Sequence, residues 1–156
     1  MIIVFGSINM DIIVPVPRFP ASGETIKGGS YLMTPGGKGS NQALASSRAG
    51  AKTVLVGAVG DDGMGRRILA GLRRNEVMTS GVAQREEEPT GIATILVTPE
   101  GKNQIVVSPG ANDLIDPGQV PDEILKDGSM ILLQNEVPIV QSLLLLKRAA
   151  ARNVPV

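Results

Sequence analysis

Thr53-Val54-Leu55-Val56-Gly57-Ala58-Val59, followed at once by Gly60-Asp61-Asp62-Gly63 and a run from about Met64 to Asn75, decides the fold class. The first seven residues carry no charge and are largely β-branched or aliphatic, the pattern of a strand buried on both faces. The glycines with their two aspartates turn the chain into a helix, on one face of which Ile68, Leu69 and Leu72 recur at helical spacing. The same unit occurs upstream. Met1 to Phe5 is a short apolar run ended by Gly6. Further on, Pro35-Gly36-Gly37-Lys38-Gly39 turns into an Ala- and Ser-rich helix over about Ser40 to Ala49, closed by Gly50 where a C-terminal glycine belongs. Strand, glycine turn and helix in repetition predict a parallel α/β sheet of Rossmann-like type with flanking helices.

The intervening segments break that rhythm. Ile8 to Val16 reads as a strand with Asn9 and Asp11 set among apolar residues, stopped by Pro15 and Pro17. Thr25 to Met33 is a weaker strand candidate. Ile92 to Val97 and Gln104 to Ser108, joined through Pro99-Glu100-Gly101-Lys102, predict a hairpin. Asp116-Pro117 starts a helix that Pro121 keeps short. Met130 to Leu133 returns to a buried strand, and Pro138 to Arg152 is the longest helical stretch. Its four consecutive leucines, Leu143 to Leu146, cover more than one face and expect neighbours on several sides. Val154 to Val156 reads either as the entry to another strand, so that the fold stops part-way, or as a frayed tail beside a compact core.

The 156 residues carry 15 Lys and Arg against 15 Asp and Glu, with no His and no Cys. That excludes thiol nucleophiles, imidazole bases, disulfides and nearly every zinc site, leaving carboxylates, Lys and Tyr for proton transfer. Balanced charge with one Tyr, two Phe and no Trp argues against a nucleic-acid partner. No apolar run approaches the roughly 20 residues that span a bilayer. Met1-Ile2-Ile3-Val4-Phe5 carries no basic leader. The expectation is a soluble, cytoplasmic protein with no membrane partner.

Gly36-Gly37-Lys38-Gly39-Ser40 fails as a phosphate loop, because Leu32 and Gly39 stand where that pattern needs Gly and Ser or Thr. No dinucleotide fingerprint is present either. There remains a turn whose missing Cβ atoms let a ligand touch backbone at the N-terminus of a helix. Asn41 lies in the first turn of that helix. Asn9 and Asp11, two apart on a strand, share one face. Side by side they offer donors and acceptors suited to adjacent hydroxyls, as in a sugar, and serve equally well to cap a turn, with Asn41 satisfying a helix end. Asp61 and Asp62 sit where carboxylates cap a helix, and no metal ligand set is read from them. Glu86-Glu87-Glu88 reads as a solvated turn.

Gly6-Ser7-Ile8-Asn9-Met10-Asp11 and Gly36-Gly37-Lys38-Gly39-Ser40-Asn41-Gln42-Ala43 resemble the opening and the N-terminal signature of the PfkB carbohydrate kinase family. Gly60-Asp61-Asp62, Thr90-Gly91-Ile92-Ala93, Gly110-Ala111-Asn112 and Gln134-Asn135-Glu136 come after them in the family's order. Within the family the first two motifs fit best the branch that phosphorylates ribose. The resemblance implies an ATP-dependent transfer of a phosphoryl group to the primary hydroxyl of ribose or a related sugar. It also implies a small β-sheet lid, with strands at about 12–34 and 90–108 inserted into residues 1–156. Asn9 and Asp11 would hold sugar hydroxyls, with Gly36, Gly37 and Lys38 contacting the sugar through the turn and Asn41 completing that cluster. Glu136 would bind a further hydroxyl from the carboxyl edge of the sheet, or else stand as a solvated loop carboxylate or a cap for the helix after Pro138. Ala93, Ile95 and Val107 would form an apolar wall, or simply pack the strands.

The family's catalytic aspartate belongs to a second, glycine-rich signature that also frames the transferred phosphoryl group, and no stretch here resembles it. The chain is therefore expected to be the N-terminal portion of such an enzyme, with the C-terminal half absent and no activity alone. ATP and Mg²⁺, with a monovalent cation, would serve the complete enzyme and bind poorly here. A homodimer through the lid strands or the exposed sheet edge is expected. The alternatives are a non-catalytic sugar-binding or dimerisation module and, disfavoured by the failed fingerprint, a Rossmann-like domain for another ligand.

Overall fold

The computed structural model describes residues 1–126 and 129–156. Four strands build the main sheet: β1 (Ile2–Phe5), β4 (Thr53–Gly60), β5 (Met78–Arg85) and β8 (Met130–Leu133), in the order β5-β4-β1-β8. Every pairing is parallel, with Ile2 opposite Thr53 on one side and Met130 on the other. Alternation along these strands divides the core into two layers. Ile3, Phe5, Val54 and Val56 face α3 (Ile139–Ala150) and the short 3-10 turns at Gly110–Leu114, Pro117–Gln119 and Asp122–Ile124. Val4, Leu55 and Val59 face α1 (Lys38–Arg48) and α2 (Gly63–Arg74), whose Ala43, Ile68, Leu69 and Leu72 fill that side. The parallel α/β sheet expected from the sequence is thus present, with helices on both faces.

A second four-stranded sheet stands beyond the carboxyl ends of the main strands. It consists of β2 (Asn9–Pro15), β3 (Leu32–Gly36), β6 (Gly91–Val97) and β7 (Asn103–Ser108), in the order β3-β2-β6-β7. β2 and β6 run parallel, and the outer pairs run antiparallel. The hairpin at Pro99–Lys102 closes through Thr98 N–H to the Lys102 carbonyl (2.9 Å). Only Gly6, Ser7 and Ile8 separate β1 from β2, so the two sheets meet at the end of β1.

Two segments depart from the sequence expectation. The strand expected over Thr25 to Met33 begins only at Leu32. The reason lies in Gly28-Gly29-Ser30, whose glycines have no side chains to pack: Gly29 N–H instead bonds the Pro15 carbonyl (2.8 Å) and the segment runs along β2 without joining it. β5 has no counterpart in the sequence pattern, because Met-Thr-Ser-Gly-Val-Ala-Gln-Arg lacks a clean alternation. It is an edge strand recruited by β4, with an irregularity between Val54 and Val56. Among the leucines of α3, Leu145 is buried while Leu143 and Leu144 are about half exposed. Val154 packs into the core, and Ile131 N–H bonds the Pro155 carbonyl (2.9 Å), so this segment lies along β8 as a strand entry would.

Asp62 ties the architecture together. It caps α2 by accepting from Gly65 N–H (2.8 Å), and it also accepts from the backbone N–H (2.7 Å) and hydroxyl (2.8 Å) of Thr90, which leads into β6. Burial pushes its pKa up, but these hydrogen bonds to the charged form outweigh that and leave it below the ordinary Asp value. A depressed folded-state pKa contributes stability that is complete above the unfolded value and is lost as pH falls through the folded one. Asp62→Ala is therefore expected to lower stability by about 1–2 kcal/mol at neutral pH. Urea denaturation of the two proteins should converge at pH values below the ordinary Asp pKa.

Candidate functional site

The site is built where the β1–β2 link crosses the start of α1. Gly37, with φ +88°, turns β3 into the helix; a Cβ there would lie 2.8 Å from Asn9 N and the Ser7 carbonyl. A Cβ at Gly39 would lie 2.6 Å from the Gly6 carbonyl carbon. The two backbones therefore touch, and Ser40 N–H bonds the Ser7 carbonyl (3.0 Å). Ser40 Oγ satisfies the Gly36 carbonyl.

This contact brings β2, α1 and the end of β8 together. Glu136 Oε2 accepts from Ser7 Oγ (2.8 Å) and more distantly from Lys38 N–H (3.4 Å), while its Oε1 pairs with Lys38 Nζ. It does not cap α3, whose first turn receives no side-chain cap. Asp11, two residues beyond Asn9, lies over Gly36, and its carboxyl group occupies the space a Cβ at 36 would fill. The strand register places Ala93 beside Asp11 and Val107 beside Ala93, with Ile95 and Ile105 next along the same face.

A cavity of about 150 Å³ lies between these groups. Asn9, Asp11, Lys38, Asn41 and Glu136 with the Gly37 backbone form its polar side, and Ala93, Ile95, Ile105 and Val107 form its apolar side. Every site residue read from the sequence lines it except Gly36, which lies beneath Asp11. Ile105 and Ser7 are additions to the sequence reading. Ile105 is legible in principle, since it alternates with Val107 along β7. Ser7 carries no signal beyond its place in Gly6-Ser7-Ile8. Four larger hollows among the described residues, of about 530, 600, 430 and 190 Å³, lie elsewhere, and none of these brings two carboxylates together.

The two carboxylates are shifted in opposite directions. Burial pushes Asp11 up, the charge of Glu136 pushes it further, and Lys38 opposes them, so its pKa stands above the ordinary value. Glu136 is also raised by burial, but hydrogen bonds from Lys38 and Ser7 outweigh this and hold it low. The cavity thus offers acceptors from Asp11 and Glu136, amides from Asn9 and Asn41, and one hydrocarbon wall. That combination suits a small polyhydroxylated molecule, and two carboxylates against one lysine make it unsuited to a phosphate group.

The model of the pfkB family carbohydrate kinases matches residues 1–153. The chain belongs to that family. It is 42% identical over 139 residues to the ribokinase of Bacillus subtilis, covering 88% of this chain and 47% of that protein. It is 40% identical over 138 residues to the ribokinase of Lactococcus lactis, covering 86% and 45%. The solved ribokinase of Giardia lamblia superposes with a TM-score of 0.86 at 37% identity, covering 97% of this chain and 48% of that one. That of Arabidopsis thaliana, complexed with ribose and ATP, superposes with a TM-score of 0.85 at 32% identity, covering 99% and 51%. The chain spans about half the length of the curated relatives it matches. No helix among the described residues is long and apolar enough to cross a membrane.

Because the Glu136 charge contributes to the raised pKa of Asp11, Glu136→Gln should move the Asp11 midpoint downward. Carboxyl carbon shifts followed by NMR over an acid titration report this directly. An unchanged Asp11 midpoint would show that the two groups are not coupled.

Proposed function

We propose that the cavity binds ribose or a closely related sugar, and that the chain supplies the sugar-binding side of an ATP-dependent carbohydrate kinase acting on the sugar's primary hydroxyl. The observation that carries this is the convergence of Asn9 and Asp11 on β2 with Glu136 beyond β8 on one cavity, beside the apolar residues of β6 and β7. Carboxylates accept from hydroxyl groups, the Asn9 amide has both donor and acceptor capacity, and the hydrocarbon wall suits the C–H face of a furanose or pyranose ring. Relatives named ribokinases, one of them solved with ribose and ATP, support the same substrate class.

In this proposal the second sheet serves as a lid over the sugar. ATP, Mg²⁺ and a monovalent cation belong to the complete enzyme and to residues other than those of this cavity, whose carboxylates disfavour a triphosphate. No catalytic base is assigned within the chain, and binding without turnover is the activity expected of it, in the cytoplasm where the nucleotide is available. Exposed Leu32, Ile105, Val106 and Val107 on the second sheet favour pairing of two copies through it. Association through the lid is also what the second reading, a non-catalytic sugar-binding or dimerisation module, would use.

With each net hydrogen bond contributing about 1 kcal/mol and the cavity open on one side, ribose affinity should be on the order of millimolar. Asp11→Ala should abolish it in calorimetric or NMR titration. Micromolar binding that survives Asp11→Ala would overturn the assignment. In a coupled ADP-release assay the chain should give no ribose-dependent signal above blank. Light scattering should show a dimer or larger species, and a clean monomer would remove the lid-pairing proposal.

A further inference from the structure

We propose that Asn112 is a positioning residue for the sugar site, fixing the Asn9 amide so that its Nδ2 hydrogens, and not its Oδ1, face the cavity. The inference rests on the sugar-binding reading above and specifies which polarity that site presents. Asn112 lies in the 3-10 turn after β7, 1% exposed, behind the cavity wall. Its Oδ1 accepts from Ile8 N–H (2.8 Å). Its Nδ2 faces three oxygens: Asn9 Oδ1 (2.8 Å), the Pro109 carbonyl (2.9 Å) and the Ile8 carbonyl (3.1 Å).

These partners determine both amides. Reversing Asn112 would set its oxygen against two backbone carbonyls and its NH₂ against a backbone N–H, so its orientation is fixed. The atom of Asn9 that meets Asn112 Nδ2 must then be an acceptor. Asn9 is 4% exposed and lines the cavity, and its Nδ2 has no hydrogen-bond partner among the described residues. The amide that the cavity sees is therefore a donor standing beside the Asp11 acceptor. Without Asn112 the Asn9 amide could turn, and three side chains would then present oxygen to a sugar whose own lone pairs need donors.

Gly91 supports the arrangement from the neighbouring strand. It pairs with Asn9 in the β2–β6 register, and a Cβ there would overlap Asn112 Nδ2, Asn9 Oδ1 and the Pro109 carbonyl at once. Gly91→Ala thus perturbs the Asn9–Asn112 contact while deleting no polar group.

The test is a double-substitution cycle read by ribose affinity, with far-UV circular dichroism as the check on folding. Asn9→Ala and Asn112→Ala should each weaken ribose binding about tenfold, and the double variant should bind no worse than Asn9→Ala. Gly91→Ala should weaken it in the same direction. A double variant whose loss is the product of the two single losses would overturn the inference, since Asn112 would then act through the fold and not through Asn9. If Asn9→Ala binds as the wild type does while Asp11→Ala does not bind, the inference fails and the sugar site stands. If neither substitution matters, both fail.

A measurement on the unsubstituted chain keeps the question open to refutation should Asn112→Ala not fold. Ribose should shift the Asn9 side-chain NH₂ resonances, which face the cavity, and leave those of Asn112 in place. Asn9 resonances that do not respond at saturating ribose would overturn the proposal.

Discussion

Everything in the cavity depends on one contact, the approach of the Gly37–Gly39 backbone to Gly6–Ile8 with no side chain between them. At Gly37 the chain adopts φ +88° with ψ 134°, a backbone conformation that a residue with a Cβ rarely adopts, before any clash is counted. At Gly39 the obstacle is a backbone carbonyl carbon, which cannot rotate aside as a side chain can. Because this contact is backbone on backbone, it sets the position of α1 against the end of β1 more tightly than side-chain packing would. Lys38 and Asn41 are carried on that helix, Asn9 and Asp11 on the strand that leaves the same crossing, and Ser7 lies at the crossing itself. The polar floor of the site is thus a consequence of chain path, and its side chains need little further ordering.

Electrostatics then differentiates groups that the chain path has gathered. The Lys38–Glu136 pair is a minor source of stability, since the lysine side chain is 64% exposed and such pairs contribute at most about 1 kcal/mol. Its effect is geometric and local: it holds the carboxylate of Glu136 charged and oriented beyond the end of β8. Asp11 has no hydrogen-bonded cation among the described residues, is partly buried and feels the charge of Glu136, which together outweigh the more distant pull of Lys38 and raise its pKa. A hydroxyl group donating to Asp11 stabilises the charged form that its surroundings penalise.

The parts of this arrangement legible in the sequence are those with local causes. Period-two spacing puts Asn9 and Asp11 on one face, an uninterrupted apolar run identifies β1 and β4, and the glycine turn marks the start of α1. Asn9 with Asp11 could equally have capped a turn, and only the crossing with Gly37 shows them facing a cavity. The features that escape a local reading have non-local causes. β5 is a strand because β4 offers it hydrogen bonds, although its own residues alternate poorly. The segment before β3 has strand-forming residues at its ends, but Gly28 and Gly29 give it nothing to pack. Asn112 stands 103 positions from the Asn9 amide it contacts, and no local pattern links them.

The division of labour across the cavity has the same origin. Lys38, Asn41 and Glu136 come from α1 and the main sheet's carboxyl edge, Asn9 and Asp11 from β2 of the second sheet, and together they would orient a hydroxylated ring. The apolar wall lies on β6 and β7, beside Asp11 in the same sheet, and would contribute by excluding water from the C–H groups of a bound sugar, at about 25 cal/mol per Å² of apolar surface covered. Ala93 is the smallest of that wall's residues and sits directly across from Asp11 in the register, so ring substituents nearest the carboxylate meet the most space. The polar groups thus come from both sheets, and the three-residue link Gly6-Ser7-Ile8 is where any relative movement of the two would change their spacing.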